Sequence, residues 1–135
     1  MLLDEKVKDI RQYSPLALAF VGDGVYELLV REFLAVQANR PAGELHHMAV
    51  NMVRASAQAQ AAQKIMPMLT EKELGAYRRG RNAQTGHTPK NATDAEYHSA
   101  TGLEALLGYL HLSGQDQRIK ELFAVICMEN QGKIE

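Results

Sequence analysis

The stretch "ALAFVGDGVYELLV", residues 17–30, restricts the fold more than any other. It is apolar at nearly every position, so a helix built from it is greasy on almost all sides, as in a buried element. Ser14 and Pro15 before it form a helix start, with a capping hydroxyl followed by proline at the first helical position, and the helix is expected to run to about Val36 at the centre of the protein. In its middle stands Asp23 between Gly22 and Gly24. Each interior glycine costs about 1 kcal/mol relative to alanine, and an unpaired carboxylate in a dry core is costly unless paired, metal-bound or neutralised. Glycine permits a second helix or a ligand to approach the backbone closely. The plainer alternative is a kinked helix whose aspartate has a local partner.

The remaining chain is also helical in character. Residues 40–69 are rich in Ala, Met and Gln and long enough for two helices, with a break expected near 52–56. Thr70 and Glu73 have capping-box spacing. The segment "NAQTGHTPKNA" reads as a loop, and Thr93 or Asp94 starts a long helix that Gly114 ends. A last amphipathic helix follows, and no segment alternates with period two. The expectation is an all-α fold of about six or seven helices around a central apolar helix, one domain over residues 1–135. Of the 135 residues, 46% are hydrophobic and 23% charged, enough for a packed core. No uncharged apolar run reaches the roughly 18–20 residues of a membrane span, and "MLLDEKVKDIRQ" is no signal peptide. Cys127 has no partner for a disulfide and reads as a small core residue. These features suggest a cytoplasmic protein.

A second acid is equally out of place. Glu104 lies inside "GLEALLGYL", with Ala100, Thr101, Leu107 and Gly108 one helical turn away and no Lys or Arg at those positions. Two core-facing helices each carrying one lone carboxylate are most simply explained by a shared divalent cation. Ligands made only of oxygen favour Mg²⁺, with Mn²⁺ as substitute. Elsewhere the net charge of −1 advertises no polyanion, but no acid occurs between Leu74 and Thr93, where Arg78, Arg79, Arg81 and Lys90 cluster.

These residues carry a resemblance. "LAFVGDGVYELLV" resembles the signature helix of the ribonuclease III family, and "TGLEALLGYLHL" its second acidic segment. "GELHHMAVNMVRASAQAQ" is similar to the helix pair between them, and "YRRGRNAQTGHTPKN" to a segment of the compact Mini-III branch. The resemblance covers nearly the whole chain and leaves no room for a separate RNA-binding domain. It implies a Mg²⁺-dependent endoribonuclease cutting double-stranded RNA, with Asp23 and Glu104 as catalytic metal ligands. Two further acids of the larger enzymes fall here on Ala19 and Thr101, as is typical of Mini-III, which suggests one tight metal completed by water. It also implies trimming of both ends of 23S ribosomal RNA precursor, a symmetric homodimer with Phe20 as interface anchor, and leaves open a ribosomal protein that presents the substrate.

The basic segment then has a use. A-form RNA is read mainly by shape across its wide minor groove. Arg78, Arg79, Arg81 and Lys90 suit phosphates, while Asn82, Gln84, Thr85, His87 and Thr88 suit hydroxyls or base edges. A solvated basic face is the plainer alternative. His46 and His47 project about 100° apart on a helix, so they are no metal pair, and at least one is read as surface. Glu27 is expected to pair with Arg31, His98 and His111 to pack or face solvent, and Met48, Met52, Met66 and Met68 to fill core. The competing functional readings are a non-cleaving ribonuclease III-like module that binds RNA within a ribosomal particle, and a helical adaptor between proteins.

Overall fold

The computed structural model describes residues 1–83 and 92–132, with side chains up to residue 128. Six α-helices follow one another: α1 (Pro15–Gln37), α2 (Ala42–Val53), α3 (Ala55–Ile65), α4 (Glu71–Asn82), α5 (Asp94–Leu112) and α6 (Asp116–Gly132). Among the described residues there is no strand.

The helix ends follow the local chemistry of the sequence. The Ser14 hydroxyl accepts from the Ala17 amide at 3.1 Å and Pro15 occupies the first turn of α1. Both α4 and α5 begin with complete capping boxes, Thr70 with Glu73 and Thr93 with Glu96, so each threonine and glutamate satisfies the other's backbone amide. At the end of α5, Gly114 adopts φ 75°. Its amide donates to the His111 carbonyl at 3.1 Å and that of Gln115 to Leu110 at 2.8 Å, the paired bonds of a Schellman turn. Helices α2 and α3 are separated only at Arg54, whose extended ψ of 157° breaks the spiral.

The central helix is α5 rather than α1. Leu103, Leu106, Leu107 and Leu110 of α5 are fully enclosed, joined by Val30 of α1, Ile65 of α3 and Leu122 of α6. The dense apolar sequence of α1 divides into two ridges. Leu18, Gly22, Tyr26, Val30 and Leu34 recur every four residues and face the core. Leu16, Phe20, Gly24 and Leu28 recur with the same spacing, two positions out of phase, and are exposed. Two positions correspond to about 200° around a helix, so the second ridge lies opposite the first. Length of apolar run alone does not distinguish a helix buried on all sides from one with a second face left open. The core-filling methionines 48, 52, 66 and 68 pack against the main cluster as expected, while Cys127 is only half-buried.

Glycine sets how closely α5 approaches its neighbours. A methyl group on Gly22 would land on the Glu104 carbonyl and stand 2.9 Å from the Gly108 nitrogen; one on Gly108 would land on the Leu18 carbonyl. On the other side of α5, a methyl on Gly102 would lie 2.8 Å from both the ring and carbonyl oxygen of Tyr77, and Gly80 of α4 presses on Ala105. Thus α5 touches α1 and α4 backbone to backbone. The end of the fold is closed by Arg118 of α6, which donates to both carboxylate oxygens of buried Glu73 and, at 2.7 Å, to the Met68 carbonyl.

Gly22→Ala is expected to destabilise the protein by about 3 kcal/mol or more, since rigid main chain blocks the added methyl. Gly43→Ala in α2, which has open space around it, should instead leave stability unchanged or raise it by up to about 1 kcal/mol. Urea denaturation of the two variants beside wild type measures the difference.

Candidate active site

Because Gly22 abuts the backbone of Glu104, Asp23 is carried to the edge of the same helix crossing. There the Asp23 carboxylate meets that of Glu104, close enough to take a hydrogen bond from its protonated form. The two acids come together from 81 positions apart in the chain, yet their environments differ from expectation. Asp23 is exposed and Glu104 half-buried, so the pair lies at the surface with one member set into it. The physical reason is angular: Gly22 points at α5, and the next side chain is rotated by about 100° toward solvent.

Burial first, and then the neighbouring Asp23 charge, push the Glu104 carboxyl up to about 8 from an ordinary 4.5. Among the described residues no cation offsets this. The opposing contact among these residues is from Gln58 of α3, whose side-chain nitrogen donates to a Glu104 oxygen at 3.4 Å and to the Val53 carbonyl at 2.7 Å. The sequence pattern does not single out Gln58, which there is one more good helix former. A signal was present: Gln58, Ala61, Ala62 and Ile65 follow the inward spacing of an amphipathic helix, and a polar side chain heads an otherwise apolar stripe.

Two positions that carry acids in larger enzymes of the resembled family contribute no ligand here. Ala19 is buried against α5, and the Thr101 hydroxyl turns back to donate to the Tyr97 carbonyl at 3.0 Å. Among the described residues no third His, Cys, Asp or Glu joins the pair. Two adjacent carboxylates with no balancing cation among the described residues nevertheless suit a hard divalent ion such as Mg²⁺, which takes one or two carboxylates and fills its other positions with water and phosphate.

The other candidates are dispersed. Arg78, Arg79, Arg81 and Asn82 are exposed on the last turns of α4. Arg81 donates to the Asn82 side chain at 3.2 Å and lies 5.8 Å from the centre of the Tyr77 ring. Gln84, Thr85, His87, Thr88 and Lys90 lie outside the described residues. Phe20, one turn before Asp23, is 83% exposed. Glu27 pairs with Arg31 at 3.5 Å on the surface, as expected. His46 and His47 are both exposed, and His111 bonds to Asp116 at 2.9 Å. No helix among the described residues is long and apolar enough to cross a membrane.

This helical frame, with an acid on each of two crossing helices, is that of a ribonuclease III domain, whose family model matches residues 16–115. A Fusobacterium nucleatum protein of known crystal structure superposes with a TM-score of 0.80 at 33% identity, over 94% of this chain and 99% of that one. Similar curated sequences are the Mini-ribonuclease 3 of Thermoanaerobacter, 46% identical over 81% of this chain and 77% of its own length, and that of Symbiobacterium thermophilum, 47% identical over 80% and 83%. The chain therefore belongs to the ribonuclease III family, in its Mini-ribonuclease 3 branch, and is an endoribonuclease.

The raised Glu104 carboxyl ties stability to pH. Folded protein holds this proton to about pH 8, whereas the unfolded chain releases it near 4.5. The proton-linked stability is fully present below about 4.5 and is lost as pH rises through about 8. In chelator, the melting temperature is expected to fall across that window, and Glu104→Gln should flatten the fall and melt higher than wild type at pH 8. Thermal melts of both proteins over a pH series check this.

Proposed function

We propose that the chain is a Mg²⁺-dependent endonuclease for double-stranded RNA that matures both ends of 23S ribosomal RNA precursor in the cytoplasm, with residues 1–135 acting as one catalytic domain. The observation that carries this reading is the meeting of the Asp23 and Glu104 carboxylates, with no compensating cation among the described residues, at the edge of a rigid helix crossing. The names of the curated relatives support the ribonuclease part of it. Mn²⁺ is expected to substitute.

Asp23 and Glu104 would hold the ion, and the neighbouring Ala19 and Thr101 would add no carboxylate to them. When bound, the cation supplies Lewis acidity at the scissile phosphate and lowers the pKa of water beside it. Glu104, partly enclosed, would be held ionised by that charge. The exposed Arg78, Arg79 and Arg81 hold phosphates of the duplex on the α4 side, Asn82 joins them, and the segment carrying Gln84, Thr85, His87, Thr88 and Lys90 extends the contact. A ribosomal protein that presents the precursor fits this role.

The outward ridge of α1 supports a homodimer. Leu16, Phe20 and Leu28 expose apolar surface in one line, which a soluble protein ordinarily covers with a partner. Phe20 is the anchor, and its place one turn from Asp23 sets the two active sites on either side of the shared face, so that one duplex is cut on both strands.

Asp23→Asn is expected to abolish cleavage of a long RNA duplex in Mg²⁺ while duplex binding and the thermal melt stay near wild type. Gel assays with and without Mg²⁺, beside a binding assay in chelator, test it; cleavage at the wild-type rate would remove the site from consideration, and wild-type binding without cleavage would favour a non-cleaving module. Phe20→Arg should convert the protein to a monomer in sedimentation equilibrium. A wild-type chain that is already monomeric at micromolar concentration would contradict the dimer.

A further inference from the structure

Gln58 is 4% exposed, an unusual place for an amide in a helix whose other inward residues are Ala61, Ala62 and Ile65. Its two ends are treated differently. The nitrogen makes two bonds, to the Val53 carbonyl at 2.7 Å and to Glu104 at 3.4 Å. The oxygen is buried, and no donor among the described residues reaches it. A buried unmet acceptor is destabilising, so for packing alone an aliphatic side chain would serve better here. What the amide adds is direction. Its orientation is unambiguous because both of its neighbours are acceptors, and only the NH₂ end satisfies them. One hydrogen closes the end of α2, where Val53 is the last helical residue and its carbonyl lacks an intrahelical partner. The other points at the carboxylate of Glu104.

We propose that Gln58 is the positioning residue for Glu104, its amide locking the carboxylate toward Asp23 and fastening it to the α2–α3 corner. Glu104 is then held on two sides: its backbone against Gly22 of α1, its side chain by α3. Groups that orient a metal ligand from behind typically change metal affinity or activity 10–100-fold (roughly) when removed. This inference rests on the reading of Asp23 and Glu104 as ligands of a divalent cation.

The test uses Gln58→Met, which keeps length and volume without the donor, and Gln58→Glu, which keeps the shape and substitutes an acceptor. Mn²⁺ affinity is measured on the RNA-free protein by electron paramagnetic resonance, and kcat and KM on an RNA duplex. Both variants are expected to bind Mn²⁺ about 10–100-fold more weakly, with kcat reduced and KM for RNA unchanged. Gln58→Met binding Mn²⁺ as tightly as wild type would overturn the proposal, and so would Gln58→Glu binding it as tightly or more tightly, since the side chain would then act as a ligand itself. Should both variants fail to fold, the wild-type Gln58 side-chain amide decides by NMR: its resonances should move on adding Mg²⁺, and their standing still while the backbone amides of Gly22 and Ala105 move would overturn it. Wild type that binds no Mn²⁺ would instead remove the metal reading itself.

Discussion

The crossing of α1 over α5 at Gly22 and Gly108 is the constraint from which the site derives. With no side chain between the two helices, their separation is set by main-chain atoms, which have no rotamers to shift. That contact brings two carboxylates, each on its own helix, to one point. It also explains the cost accepted in α1, where two glycines and an aspartate interrupt an otherwise strong helix. The glycine pair at Gly80 and Gly102 repeats the device on the other side of α5, so the helix bearing Glu104 is gripped from both flanks.

Within that frame the two acids oppose each other. Burial and the Asp23 charge disfavour ionised Glu104, and the single donor from Gln58 only partly compensates. Strongly perturbed carboxylates concentrate where proteins do chemistry. Here the perturbation has an identifiable source, a pair of like charges at a rigid junction, and a purely structural pair would ordinarily be balanced by a basic residue. The contrast is present in the same molecule: Glu73 is also buried, yet Arg118 beside it holds its carboxyl below the usual range.

Much of this was legible in the sequence. The capping box at Thr70, the cap at Thr93 or Asp94 and the Gly114 turn are local signals and mark helix ends within a residue or two. Asp23 and Glu104 stood out because each is an unpaired acid in an apolar run. Their depth is not legible, because the sequence shows which residues are apolar and not that α1 keeps a second apolar ridge facing outward; hence the pattern points to Asp23 in the core and α1 at the centre. Gln58 escaped because its partners are a carbonyl at a helix break and an acid 46 positions away. The spacing with Ala61, Ala62 and Ile65 marks Gln58 as inward-facing, but it does not name these partners.

The Arg118 clamp bears on how the chain is completed. Its partners, Met68 and Glu73, precede it by 50 and 45 residues. During synthesis the first five helices are therefore made before the guanidinium that neutralises Glu73 exists. Translation proceeds at about 5–20 residues per second, so the nascent domain waits seconds for its last latch, and the ribosome's pace decides when closure becomes available.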